Sequence, residues 1–164
     1  MRSRNRNQRL IAEAQSLVPV DVTALAESLG VAVWESPFLE KGVSGKLLRD
    51  RRHGGASGYS ILVNSAEPYA RKRFTVAHEI AHFLLHLDRV GDGVTEDAWF
   101  RSSFPLAEER EANRLAAELL MPPGQIERLV REGVTDCDEL ADKFHVSGPA
   151  MRIQLGQRGF ARKR

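Results

Sequence analysis

His78, Glu79 and His82 stand in the order H-E-x-x-H, a spacing with a definite chemical consequence if the segment is helical. Residues four apart lie one turn above each other on one face, so the two imidazoles can bind a single tetrahedral zinc ion. Glu79 lies beside them, placed to accept a proton from a water that the ion polarises. His86 extends the ladder by another turn. It stands about 6 Å along the axis from His82, too far to share the ion readily, and so has a supporting role.

The surrounding pattern is that of a buried helix. With about 100° of rotation per residue, His82, Thr75, His86 and Glu79 all fall within about 100° of His78. Phe74, Val76, Ala77, Ile80, Ala81, Phe83, Leu84, Leu85 and Leu87 fill most of the remaining circle, so one polar stripe crosses an apolar rod. Imidazoles and a carboxylate buried without partners are costly. A metal ion would satisfy them, which favours a metal site over a merely structural histidine helix.

A catalytic zinc site needs three protein ligands and one open position. No further histidine sits in a comparably apolar helix, so the third ligand is sought among acids. Glu108, Glu109, Glu111 and Glu118 cluster after Pro105. Periodicity does not choose among them: Glu108 lies nearer the middle of the apolar face, while Glu111 and Glu118 flank it.

Three ordered blocks resemble the ImmA/IrrE family of metallopeptidases. The first is Arg73-Phe-Thr-Val-Ala-His-Glu-Ile-Ala-His-Phe-Leu-Leu-His86. The second is Glu109-Arg-Glu-Ala-Asn-Arg-Leu-Ala-Ala-Glu-Leu-Leu-Met-Pro122, and the third is Leu140 to Leu155. The likeness runs from about Val20 to the C-terminus. Ala81 stands where glycine is common and Leu115 where phenylalanine is common; neither change removes a functional group. The resemblance implies a zincin-like α+β fold and one Zn2+ held by His78, His82 and Glu111, with Glu79 as catalytic base. It also implies an endopeptidase whose protein substrate is a helix-turn-helix repressor of stress, phage or mobile-element genes.

The 164 residues suggest one metallopeptidase domain, with residues 1–9 and 159–164 as basic flexible tails. The single cysteine, Cys137, and the lack of a secretory signal or a membrane-spanning run point to the cytoplasm. Net charge is only +2, so charge alone does not indicate nucleic acid.

Residues 31–36, 43–49 and 57–63 are expected as a small sheet covering the motif helix, the last two forming a hairpin with a long tip. Asp21 can cap a short helix from Val22 to Leu29 and Ser147 the last helix, while Asn64 or Ser65 is expected to cap the motif helix, with Pro68 in its first turn. The strand 57–63 directly precedes the helix and is expected to offer its edge to an extended substrate, with Gly58 allowing close approach. Trp99 and Phe100 either form a lip of the cleft or pack on the body. His53, Tyr59, Tyr69 and His145 are weak candidates to stabilise an oxyanion. Residues 136–158 have the look of a helix-turn-helix offering Arg152, Gln154, Gln157 and Arg158. The competing reading is therefore a DNA-binding or partner-binding regulator with a structural metal. Simple packing of those helices beside the core is favoured, because a DNA reading leaves the motif helix unexplained.

Overall fold

A computed structural model describes residues 2–90 and 105–157. The chain opens with α1 (Arg2–Ala14) and α2 (Val22–Ser28), then β1 (Val31–Ser36), β2 (Gly45–Arg49) and β3 (Tyr59–Asn64). The motif helix α3 (Tyr69–Leu85) follows, and α4 (Leu106–Leu120), α5 (Pro123–Arg131), α6 (Cys137–Phe144) and α7 (Gly148–Gln157) complete the described fold. This is the expected α+β, zincin-like architecture: a small mixed sheet on a buried helix with further helices C-terminal. Trp99, Phe100 and the 159–164 tail lie outside the described residues.

Residues 2–9, expected as a tail, are helical. The arginines and Gln8 are good helix formers, and the helix continues into Leu10, Ile11 and Ala14, which pack against the core. At α2 the cap is as expected: Asp21 Oδ1 accepts from the Ala24 amide at 3.0 Å.

The strand order is β1-β3-β2. β1 runs parallel to β3, with Val31 opposite Tyr59, and β2 runs antiparallel, with Leu47 opposite Ile61. β3 is therefore central, and both its edges are occupied by neighbouring strands. The expectation that its edge receives substrate is overturned. The β2–β3 connection is the long-tipped hairpin anticipated. Asp50 organises that tip, accepting from the amides of Arg52 and His53 through Oδ1 and from the Ser60 hydroxyl through Oδ2. These bonds hold its carboxyl below the usual range, that to His53 most strongly.

Pro68, not Asn64 or Ser65, stands at the N-cap of α3. Asn64 instead closes the preceding turn, its Oδ1 accepting from the Ala66 amide. Ile61, Val63, Val76, Ala77 and Ile80 join the two layers in the core. Ala77 and Ala81 on α3 and Ala112 and Ala116 on α4 are fully buried; their small side chains let the two helices approach closely. Arg73 is buried as well. It donates to the carbonyls of Val20, Phe144 and His145, and so ties α3 to the turn between α6 and α7. A guanidinium, with five N–H donors, suits that role.

Ser147 caps α7 through the Ala150 amide, as expected. Gln154 on that helix is 3 % exposed and donates to the Met121 carbonyl. Arg152 pairs with Asp138 at 3.4 Å. Two of the four side chains expected to face DNA are thus engaged within the protein. No helix among the described residues is long and apolar enough to cross a membrane.

Candidate metal centre

α3 presents its polar stripe toward α4, and three side chains converge there. His78 Nε2 and His82 Nε2 lie 3.0 Å apart. Glu109 brings one carboxylate oxygen to 3.4 Å from His78 Nε2 and the other to 3.4 Å from His82 Nε2. Among the described residues these three form the group of side chains able to hold a metal ion. Ligands about 2.1 Å from a tetrahedral ion are separated from one another by about 3.4 Å. The two imidazole nitrogens lie close to that separation, each meets one oxygen of the same carboxylate at 3.4 Å, and two imidazoles with one carboxylate are a donor set that zinc accepts. The residues present fit the ion.

The acid that meets the histidines is Glu109, where the family resemblance had pointed to Glu111. Glu111 turns its Oε2 to His86 Nε2, 3.3 Å away. The reason is helical geometry. Glu109 lies three and seven residues before the buried contacts Ala112 and Ala116, on the side of α4 that faces α3. Glu111 is rotated about 100° from Ala112, toward solvent. Neither Glu108 nor Glu118 joins the group. The signal in the sequence was the shared face of Glu109 with two alanines small enough for close helix packing.

The outward nitrogens of the two imidazoles are also engaged. His78 Nδ1 lies 3.0 Å from Asn113 Oδ1, and His82 Nδ1 lies 3.2 Å from His86 Nδ1. When Nε2 ligates, the proton sits on Nδ1. His78 then donates to Asn113, His82 to His86, and His86 through Nε2 to Glu111. His82 is 2 % exposed. Burial and the neighbouring His78 and His86 hold its basicity down at about 3. Burial lowers His78 too, partly offset by the charge of Glu109. Both shifts favour the neutral ring, the form that can ligate.

Glu79 is 7 % exposed. Desolvation raises its pKa to about 8, Glu109 adds to the effect, and a hydrogen bond from the Leu47 backbone opposes it. This carboxyl is thus anchored between α3 and the edge strand β2.

A cleft of about 520 Å³ opens over the group. Its floor includes His78, Glu79, His82 and Glu109, and its opposite wall is the segment 38–46 leading into β2. Of that wall, Val43 to Lys46 carried a sequence signal only as the start of the strand expected over 43–49, and 38–42 gave none. His53, Tyr59, Tyr69 and His145 are not among the lining residues. Tyr59 stacks edge-on against Phe83, and Tyr69 against His145.

Residues 26–155 match the IrrE N-terminal-like domain of the M78 peptidases. The chain belongs to this family. Membership supports a metallopeptidase role and agrees with the likeness carried by the three sequence blocks. No curated protein matches the chain at significant similarity. Among solved structures, one described as a Mycobacterium tuberculosis transcriptional regulator is similar, with TM-score 0.63 and 16 % identity. The match covers 92 % of this chain and 45 % of that one. The M78 chain shares its fold and spans less than half its length.

Proposed function

We propose that this M78 chain is a zinc-dependent endopeptidase that cuts a protein substrate, a helix-turn-helix repressor, in the cytoplasm. In this reading residues 1–164 act as one metallopeptidase domain. His78, His82 and Glu109 hold one Zn2+, and Glu79 is the catalytic base. The supporting observation is the convergence of His78, His82 and Glu109, with donor atoms within 4.8 Å of one another, at the floor of an open cleft. The buried Glu79 carboxyl lies on the same floor.

Zinc, when bound, supplies Lewis acidity that polarises a water and the scissile carbonyl. The chain supplies the rest. Asn113 and His86 fix the tautomers and orientation of His78 and His82. Glu79 takes the proton from the attacking water and gives it to the leaving amine. The segment 38–46 and α3 flank the substrate. β2, the outer strand, offers its free side along Ser44 to Lys46 beside the cleft, where an extended peptide can add by backbone hydrogen bonds. The substrate-binding edge is thereby reassigned from β3 to β2.

Metal analysis, with mass spectrometry of a repressor encoded beside the gene after incubation, tests the reading. One zinc per chain and a single new cleavage, absent with Glu79→Gln, are expected. Failure to bind zinc stoichiometrically, or cleavage by Glu79→Gln at the native rate, overturns it.

A further inference from the structure

A second groove, of about 1010 Å³, lies between α3, α4 and α7 on the far side of Arg71, Phe74 and Asn113. These three residues line the catalytic cleft as well, so the two depressions share a wall. The floor of the groove is apolar, with Ala117, Met121 and Val146. Ile153 stands at its rim and is 63 % exposed. Three arginines line it, Arg71, Arg110 and Arg114, against one acid, Glu111. Three guanidinium charges against one carboxylate leave the groove basic.

We propose that this groove is a docking site for an amphipathic helical segment of the substrate protein, with an apolar face and acidic flanks. Its side chains would seat against Ala117, Val146 and Ile153 while its acids meet Arg110 and Arg114. The wall shared with the cleft places this helix next to the extended segment to be cut, so the groove selects substrates by their neighbouring structure. The chain's own C-terminal residues follow Gln157 at the groove, but they carry Arg158, Arg162, Lys163 and Arg164 and no acid, so like charge opposes them as occupant. The proposal rests on the peptidase reading only in calling the ligand a substrate segment.

The test uses full-length metal-free Glu79→Gln protein, so neither cleavage nor zinc enters the readout. The probes are a short fluorescein-labelled amphipathic peptide, leucines on one helical face and glutamates beside them, and its twin with lysine for every glutamate. Fluorescence anisotropy should show binding of the glutamate peptide alone. Affinity should fall at least about tenfold in Arg110→Glu/Arg114→Glu and in Ile153→Asp, all at exposed positions. Methyl NMR should show shifts at Ala117, Val146 and Ile153. Equal binding of the two peptides, no binding, indifference to the substitutions, or shifts elsewhere would overturn the proposal. So would concentration-dependent shifts of the same methyls without peptide, which would assign the groove to a second copy. Peptide binding by a protein that proves to lack peptidase activity leaves the groove standing and removes the peptidase reading. Cleavage of the repressor with unchanged KM in the groove variants does the reverse.

Discussion

Glu111 touches the metal group only through His86: its Oε2 lies 3.3 Å from His86 Nε2, and His86 Nδ1 lies 3.2 Å from His82 Nδ1. A carboxylate at the end of two imidazoles orients the last ring and raises its basicity as a ligand. Glu111 and Glu109, two residues apart on one helix, are thereby given different tasks by 200° of rotation.

A graded response to substitution follows. Glu109→Ala should abolish stoichiometric zinc binding. Glu111→Ala and His86→Ala should weaken it about tenfold, up to about a hundredfold, and Glu108→Ala should leave it unchanged. Titration against a chelator of known affinity measures all four. A wild-type affinity in Glu109→Ala would remove that residue from the site. Equal effects for Glu109→Ala and Glu111→Ala would contradict the division of labour.

The metal-free protein should be most stable between pH 4.5 and 6.5. His82 is depressed from 6.5 to about 3. The unfolded chain therefore takes up the proton first, and stability drops as pH falls from 6.5 toward 3. Glu79 is raised from 4.5 to about 8. The fold prefers its protonated form, so its contribution is complete below 4.5 and is lost as pH rises through 8. Melting temperature against pH in chelator shows both limbs. Glu79→Gln, a mimic of the protonated acid, should flatten the alkaline limb. An unaltered alkaline limb would show that Glu79 does not cause it.

The same raised Glu79 ties metal loading to proton release. A divalent ion beside a protonated carboxyl favours its ionisation. At pH 7 zinc binding should release a proton from wild type that Glu79→Gln does not release, while His82, already neutral, contributes none. Calorimetry in buffers of different ionisation enthalpy counts the protons. The same count in both proteins would mean that Glu79 is ionised before metal arrives.

The motif helix was legible because burial and chemistry act there on one periodicity: Val76, Ala77 and Ile80 are buried while His78 and Glu79 open to the cleft. The α2 cap at Asp21 and the α7 cap at Ser147 were legible because capping is local. What escaped was set by distant partners. β3 read as an edge strand because it precedes α3 in sequence, yet the parallel pairing of β1 makes it central. The wall 38–46 carries no periodic pattern, and its place over the cleft depends on where β2 meets α3. The acid beside the histidines is Glu109 rather than the Glu111 that the resemblance implies, a choice within one turn of a helix that only the packing of α4 on α3 decides.

That junction of β2 and α3 turns on Gly45. A Cβ there would collide with Thr75 Cγ2 and lie 2.6 Å from the Leu62 carbonyl oxygen, so the strand seats on the helix only because the side chain is missing. The carbonyl belongs to the neighbouring strand and Thr75 is itself buried, so neither gives way cheaply. Gly45→Ala should therefore lift the start of β2 away from α3, at a cost of about 2 kcal/mol. For a chain of this size that corresponds to a melting temperature lower by roughly 6 °C. The displaced strand bears both the proposed substrate edge and the Leu47 backbone bond to Glu79. Cleavage should thus fall through a higher KM and a shifted pH profile, while zinc content stays at one per chain, because His78, His82 and Glu109 lie on α3 and α4. Thermal unfolding, metal analysis and kinetics on one preparation separate these effects. Native melting temperature and native KM together would show that β2 does not depend on this contact.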